Sequence, residues 1–539
     1  MNAAVDADRP HPQVAVVVIG YDDAAHVTDA VRSALAQGPA VREVVAVDDC
    51  SADGSADLLD RLAASEPRLR VIRRRVNSGG CGTPRNTGLD AVTSPYVMFL
   101  DSDDVLPPGA VDALLGAATG AHAEVAGGLC VRRELPSGRE VPWQARLYAL
   151  HAVVPRPALR PQLVQDPLCV NKLYRTDFLR EHGIRFPEGR FPYEDIVFSA
   201  RVLAADPRIA LVPDLVYVWH VRWSAERLSI SLDRAGVGNW RARTEACRQA
   251  YETLLGAGQK ALARAARARF LDHELRIYVR ELGLRDAAYR RAWWELTRAH
   301  LAEYDADDWA LDPAAPGRLA GRVVLASPEP RDLPRLRELA ARPARLCPPY
   351  ARAADGTPVW SEDLPQVSLE PLLTRPVRAL PLAVDAELRP RARGARLRLR
   401  LHELYGRVGR AGPAAVEVEW RHRDDGDAVA PVVATEFAAS ADGWSAETDL
   451  DLPTLAALGT ATWDLRLRLR FRDGVSREVT AHALAGTGLL RRSAVPSARY
   501  GVVLVQPYAT HSGALALRVA PGVRGVLSVV RARVRRLLT

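Results

Sequence analysis

The sequence predicts an α/β head built on a mainly parallel sheet, then a helical segment, then an antiparallel β region. Three observations carry that expectation. Short, continuous apolar runs alternate with helical patterns through the first third of the chain, as parallel strands buried on both faces require. An Ala/Arg/Leu/Glu-rich stretch of helical spacing runs from about Trp240 to Tyr304. Further on the hydrophobic period falls to two, as in "ARLRLRLHEL" (Ala395–Leu404).

The elements follow in order. "VAVVVI" (Val14–Ile19) is the first strand, and Asp22 or Asp23 is placed to cap the helix in which Val27, Val31 and Leu35 recur at spacing four. "EVVAV" (Glu43–Val47) is the second strand and ends in "DDCSADGS"; "ADLLDRLAAS" is helical. "LRVIRR" is the third strand, before the Gly-rich "NSGGCGTPRNTG", and "YVMFL" (Tyr96–Leu100) is the next. In such sheets ligands bind beyond the carboxyl ends of strands, so "DDCSADGS" and "DSDD" should share one cleft. The Pro-rich stretches "LDPAAPG" and "ASPEPRDLP" read as a boundary. In the β region Leu397, Leu399 and Leu401 fall on one face, and Arg396, Arg398 and Arg400 on the other. "AVEVEW" and "DLRLRLRF" repeat the alternation, which fits an antiparallel sandwich with one solvated face. The outward arginines are either a binding surface or plain solvated polarity. The closing "VRGVLSVVRARVRRLLT" is basic and amphipathic, which suits either an anionic membrane surface or a terminal helix packed on its own protein.

The chain has 539 residues, about half of them apolar, enough for more than one domain and a large core. Its formal charge of +8 rests on arginine, since Lys172 and Lys260 are the only lysines. That balance reflects either GC-rich coding or an anionic partner such as a nucleotide diphosphate, an anionic polymer or a lipid surface. Cys50, Cys81, Cys130, Cys169, Cys247 and Cys347 show no CxxC spacing, which argues against a disulfide framework or a zinc site. "MNAAVDADRPHP" has no basic or apolar signal region, and no run of 18 apolar residues occurs. The expected location is the cytoplasm, with attachment to the inner face of the membrane left open.

The sharpest chemical signal is "YVMFLDSDDVLPPGAV" (Tyr96–Val111). Asp101, Asp103 and Asp104 crowd the end of a buried strand, where like charges repel and a cation would make the crowding favourable.

With "VVVIGYDDAAHVTDAVRSALAQ", "VVAVDDCSADGS", "NSGGCGTPRNTGL", "NKLYRTDFL" and "FPYEDIVFSARVL" in the same order, the first ~235 residues resemble the family 2 glycosyltransferases of the Rossmann-like GT-A fold. The resemblance implies inverting hexosyl transfer from a nucleotide-diphosphate sugar, with UDP the expected carrier. Asp103, with Asp101 and His220, would hold Mn²⁺ or Mg²⁺; Asp101 and Asp104 would also contact the donor. Asp49, with Asp48 as competitor, would meet the uracil ring; Gly20 and Tyr21 would shape the base pocket. Gly80 would let backbone approach the nucleotide, Arg85 and Arg222 would reach the diphosphate, and Asn86 would fix the loop. Asp195 would be the general base and Glu194 its neighbour. The chain departs from the family at Ile19, Asp22, Cys50 and Pro84, all in the nucleotide pocket.

The architecture also resembles wall teichoic acid glycosyltransferases, which implies a C-terminal immunoglobulin-like β-sandwich, oligomers formed through it, and a glycan or anionic polyol-phosphate polymer as acceptor. No nucleic-acid partner is expected. The domain expectation is 1–235 catalytic, 236–345 helical linker, 346–488 β-sandwich and 489–539 strands with a basic tail. A non-catalytic carbohydrate- or polymer-binding protein is the alternative, and intact Asp103 and Asp195 count against it.

Overall fold

The structure is a computed structural model, and it describes residues 13–222, 233–391, 394–423, 425–426, 429–430, 432–484, 492–510 and 513–522. The basic tail and most of the segment after Arg222 lie outside the described residues. The chain divides into two compact units, Met1–Phe270 and Leu271–Thr539.

The first unit opens with β1 (Val14–Gly20), α1 (Val27–Leu35), β2 (Val41–Asp48), α2 (Ser55–Ala63), β3 (Leu69–Arg73), α3 (Gly82–Ala91), β4 (Tyr96–Asp101) and α4 (Ala110–Ala121). β1 is paired in parallel with β2 and β4, and β2 with β3. Val14 to Ile19 are all buried, since helices cover both faces. Each valine there stabilises the fold by roughly 1.5–3 kcal/mol through burial. The unit continues with β5 (Val125–Leu135), β6 (Arg139–Trp143), β7 (Ala152–Val154), β8 (Lys172–Arg175), α5 (Thr176–Glu181), α6 (Glu194–Ala204), β9 (Ile209–Arg222), α7 (Val237–Gly256) and α8 (Lys260–Arg269).

The sheet is mixed rather than mainly parallel, with strand order β3-β2-β1-β4-β8-β5-β9-β7 and β6 beside β5. β8 runs antiparallel to both β4 and β5. It is reached through an irregular excursion of short 3-10 turns (Pro157–Leu159, Pro161–Gln165) and not through a crossover helix, so nothing forces it parallel. The reversal is invisible to hydrophobic period, which carries no strand direction.

Neither Asp22 nor Asp23 caps α1 with its side chain. His26 holds the N-cap position, and the Asp23 carbonyl accepts from the backbone N–H of His26 and Val27 (3.1 and 3.0 Å). The Asp23 carboxylate instead accepts from the Ser102 hydroxyl (2.7 Å) and pairs with His26 Nδ1 (2.5 Å), while Asp22 accepts from the Ala52 N–H (2.7 Å). Below the strand ends, the rings of Phe186 and Phe198 stack with centroids 3.8 Å apart, and Phe99 meets Phe186 edge-on at 5.1 Å. This cluster ties β4, α6 and the loop before α6 together; each such pair contributes about 0.5–1.5 kcal/mol beyond its buried area.

The second unit begins helical, with helices at Arg276–Leu282, Ala287–Ala302, Ala306–Ala310, Pro316–Ala326 and Leu333–Ala340. The Pro-rich stretch is therefore folded, and Pro316 sits in a helix first turn, where its missing N–H costs nothing. A five-stranded and a seven-stranded sheet follow, antiparallel apart from one short parallel pairing. Leu397, Leu399 and Leu401 are buried in strand Gly394–His402. The arginines opposite them face acids on the next strand: Arg396 meets Asp449 at 2.9 Å, Arg398 meets Glu447 at 2.5 Å and Arg400 meets Asp442 at 2.7 Å. In the other sheet Arg468 lies 3.6 Å from Glu417 and 3.2 Å from Glu478. The stripes are rungs of a mixed-charge ladder, not a bare cationic surface. Each exposed pair stabilises by only about 0–1 kcal/mol.

Candidate active site

Strand register gathers the donor-side residues. Gly20 at the end of β1 is paired with Asp48, and Ile19 with Asp101, so the acids that end β2 and β4 flank the same strand. Tyr21 follows at the rim, 38% exposed. Asp48 is buried; one oxygen accepts from the Ser51 N–H (3.0 Å), and Oδ1 has no hydrogen-bond partner. Asp49 is held from three sides, by the Ser78 N–H (3.0 Å), the Ser78 hydroxyl (2.7 Å) and Arg74 Nε (2.7 Å). Oδ1 of both acids lacks a hydrogen bond; that of Asp49 has Arg74 Nε as an ion-pair partner, whereas that of Asp48 has no cation beside it among the described residues. Cys50 stands at φ +68°, a left-handed turn that a glycine adopts without strain.

The three acids after β4 separate by environment. The Asp104 carboxylate is buried, accepting from the Tyr217 hydroxyl and the His220 N–H (both 2.7 Å). Burial, then Asp103 and Asp101, push its carboxyl well up. The Asp103 side chain is 42% exposed and only loosely met by Arg222 at 3.4 Å. Burial of its surroundings, then repulsion from Asp101 and Asp23, raise its carboxyl to about 6. His220 Nδ1 lies 3.0 Å from the Asp103 carbonyl oxygen, which can only accept, so Nδ1 carries the proton and Nε2 keeps its lone pair. Burial lowers this imidazole's pKa, which favours the neutral ring. Arg222 donates to the same carbonyl through both terminal nitrogens (3.1 Å).

Asp101 and Asp103 fit a hard divalent cation. They supply oxygens, their mutual repulsion is only partly offset by Arg85 on Asp101 and Arg222 on Asp103, and such an ion needs only one or two carboxylates beside water and phosphate. Asp104, with both oxygens engaged, has little to offer it. Among the described residues no three His, Cys, Asp or Glu side chains are arranged to hold a metal by themselves.

The second acidic pair opens α6. Tyr193 holds the N-cap position at φ +72°, and Glu194 and Asp195 form the first turn. Both face Arg85, whose NH1 group donates to Glu194 Oε1 (2.5 Å) and Asp195 Oδ1 (3.1 Å) while NH2 donates to Asp101 Oδ1 (2.6 Å). The guanidinium is 2% exposed, and both its terminal nitrogens are engaged with carboxylates. Burial raises the Glu194 carboxyl to about 7, with Arg85 opposing and Asp195 adding to the rise. Burial also raises Asp195, against Arg85. Asn86 pins the approaching loop, donating to the Phe186 carbonyl and Glu188 (both 2.9 Å) and accepting from the Phe186 N–H (2.9 Å).

The glycines before α3 admit protein backbone. A Cβ at Gly80 would lie 2.5 Å from the Gly189 carbonyl oxygen, and one at Gly82 1.9 Å from that of Pro187. Their smallness lets the loop before α6 close onto α3 and bring Glu194 to Arg85.

Sequence reasoning missed Asp23, Arg74 and Tyr217. Asp23 was legible only as a helix cap, and Tyr217 only as one member of a strand alternation. Lys172 proves internal: its Nζ lies 3.0 Å from the buried Asp166 carboxylate and 2.5 Å from the Leu168 carbonyl.

Residues 15–183 match the model of glycosyl transferase family 2. Over those residues the chain is similar to the family 2 glycosyltransferases. Among curated relatives, the chain is 31% identical over 236 residues to the succinoglycan biosynthesis protein ExoO of Rhizobium meliloti, covering 41% of this chain and 64% of that protein. It is 28% identical over 216 residues to the poly(ribitol-phosphate) beta-N-acetylglucosaminyltransferase TarS of Staphylococcus aureus, covering 40% of this chain and 36% of that one. The alignments thus span less than two thirds of these relatives' own lengths. The crystal structure of S. aureus TarS superposes with TM-score 0.51 at 19% identity, covering 94% of this chain and 85% of that one. At that identity the likeness speaks for fold alone, a GT-A-like α/β unit with a mixed sheet. No described helix is long and apolar enough to cross a membrane.

Proposed function

We propose that this protein is an inverting, metal-dependent glycosyltransferase that moves a hexose from a UDP-sugar to a hydroxyl of a cell-envelope glycan or polyol-phosphate polymer. One observation carries the reading: a donor-side acid, Asp101, and a base-side pair, Glu194 and Asp195, converge on one buried guanidinium at the carboxyl edge of the sheet. The family match supports the reaction class, and the relatives' names support polymer biosynthesis. UDP as carrier rests on the resemblance.

Asp101 and Asp103 are the residues to hold Mn²⁺ or Mg²⁺ together with water and the donor's phosphates; the expected third ligand, His220, is not gathered with them into a three-ligand set. Bound there, the ion would neutralise charge on the departing diphosphate. Gly20, Tyr21 and Asp48 line the base pocket, with Asp48 Oδ1 accepting from the ring N–H; Asp49 and Gly80 hold that pocket's loops. Arg222 lies on the diphosphate side. Asp195 takes the acceptor's proton on its carboxylate, which Arg85 engages at Oδ1 and to which the Cys169 thiol also donates. Its raised pKa brings it nearer the working pH, where a general base is most effective. The two sheets of the second unit are read as an immunoglobulin-like sandwich serving assembly. The place of action in this reading is the cytoplasm, with attachment to the inner face of the membrane left open.

The test is UDP release from a panel of UDP-sugars, with and without Mn²⁺ and with a polyol-phosphate or glycan acceptor. Acceptor-stimulated, Mn²⁺-dependent release is expected. Tight UDP-sugar binding without turnover on any acceptor would favour a binding protein instead.

A further inference from the structure

We infer that Arg85 is the positioning residue of the transfer step, acting through Asp195 rather than on the diphosphate. The inference rests on the glycosyltransferase reading above and assigns Arg85 a different task from the one its motif suggests.

Arg85 projects from α3 into the gap between the end of β4 and the first turn of α6. It is 2% exposed, and its terminal nitrogens meet Asp101, Glu194 and Asp195 at 2.6, 2.5 and 3.1 Å. Its Nε is buried without a hydrogen-bond partner, so the group is held by its three carboxylates and by the Phe186 ring 5.3 Å away. A group so enclosed cannot reach a phosphate without abandoning them. A planar fork can hold several carboxylates at once in fixed directions, which an ammonium cannot do.

Two consequences follow from this geometry. Asp101 and Asp195 are separated by no more than one guanidinium and two hydrogen bonds, so Arg85 sets the span between donor side and base. It also fixes the direction of the Asp195 carboxylate by engaging Oδ1. One positive charge faces three carboxylates, Glu194 buried and Asp101 and Asp195 partly so, and removing it would leave them repelling each other. Glu194 is then a second anchor that keeps Arg85 in place, not a base in its own right. The close approach at Gly80 and Gly82 is what brings α6 to the guanidinium at all.

The experiment compares Arg85→Lys and Arg85→Met in the full chain by kcat, donor KM and UDP binding by calorimetry with Mn²⁺. Arg85→Lys should lower kcat about ten- to a hundredfold and Arg85→Met about a thousandfold, with UDP affinity changed less than about threefold. In an Asp195→Asn background the further loss from Arg85→Lys should nearly vanish, because groups acting as a unit are not additive. UDP affinity weakened tenfold with kcat retained would make Arg85 a diphosphate ligand and overturn the inference. Fully multiplicative losses would do the same. Should the single variants fail to fold, Arg85→Lys with Glu194→Gln removes one of the three negative charges; wild-type kcat in that folded variant would also overturn it. Near-normal turnover in Asp195→Asn would defeat the general-base reading itself, and this inference with it. An inactive Asp195→Asn beside an unimpaired Arg85→Lys would defeat the inference alone.

Discussion

Replacing Gly82 by alanine tests the packing that assembles the site. Alanine is the better helix former by about 1 kcal/mol, so the exchange should stabilise α3 if space allowed. Space does not allow: the new Cβ would lie 1.9 Å from the Pro187 carbonyl oxygen and 3.1 Å from its carbon, where under 3.0 Å something must shift. The obstructing atoms are backbone, so α3 and the 186–191 loop must part by about 1 Å. Overpacking of this kind costs about 1–3 kcal/mol. Net of helix propensity, a loss of about 0–2 kcal/mol remains, or up to about 8 °C in Tm at this unit's size. The larger effect should be on rate, because α3 carries Arg85 and the displaced loop leads into Glu194 and Asp195; a 1 Å misplacement costs on the order of a hundredfold. Gly116→Ala on α4 is the control, since nothing lies within 4 Å of its Cβ, and it should stabilise by about 0.5–1 kcal/mol with activity unchanged. Thermal melts and UDP-release rates on both variants decide the matter. If Gly82→Ala proves as stable and active as Gly116→Ala, α3 does not meet the loop as described and the assembly argument fails.

Three other outcomes are expected. Asp103→Ala should abolish the Mn²⁺-dependent part of UDP binding; a titration showing unchanged metal dependence would move the site elsewhere. Cys50→Gly removes a non-glycine residue from φ +68°, a strain of about 1–2 kcal/mol, against about 0.5–1 kcal/mol of added chain entropy, so Tm should rise by a few degrees, and a fall would refute the strain. Glu194, held at about 7 when folded against an ordinary 4.5, binds its proton more tightly in the native state; its contribution to stability is full below about 4.5 and is lost as pH rises through 7. Glu194→Gln should therefore flatten the fall in Tm between those values, and an unaltered pH slope would contradict the assignment.

Much of the fold could be read locally. The valine run of β1, the spacing-four pattern of α1 and the Leu/Arg alternation at 395–401 each state their element, because side-chain period follows backbone geometry residue by residue. The acids at the ends of β2 and β4 could be read as a site because burying a strand leaves charge nowhere to go but its end. The antiparallel course of β8 could not, since no local signal encodes direction. Nor could the acids that answer the arginine stripe: Arg398 and Glu447 are 49 residues apart and meet only through strand register.

The sequence by itself therefore determined the α/β head, the order of its elements, the likeness to family 2 over residues 15–183 and the candidate acids. Only the tertiary structure decided what those acids face. Arg85 and Glu194 stand 109 residues apart, and their pairing depends on two glycines that let one loop close on one helix. Likewise Asp48 and Asp49 are neighbours of the same type, yet Ser78 and the charge of Arg74 answer only Asp49, although Oδ1 of each lacks a hydrogen bond. The physical reason is common to both cases. Residue type and local period fix what a side chain can do, whereas its partners, burial and ionisation depend on contacts between distant segments that only the packed chain brings together.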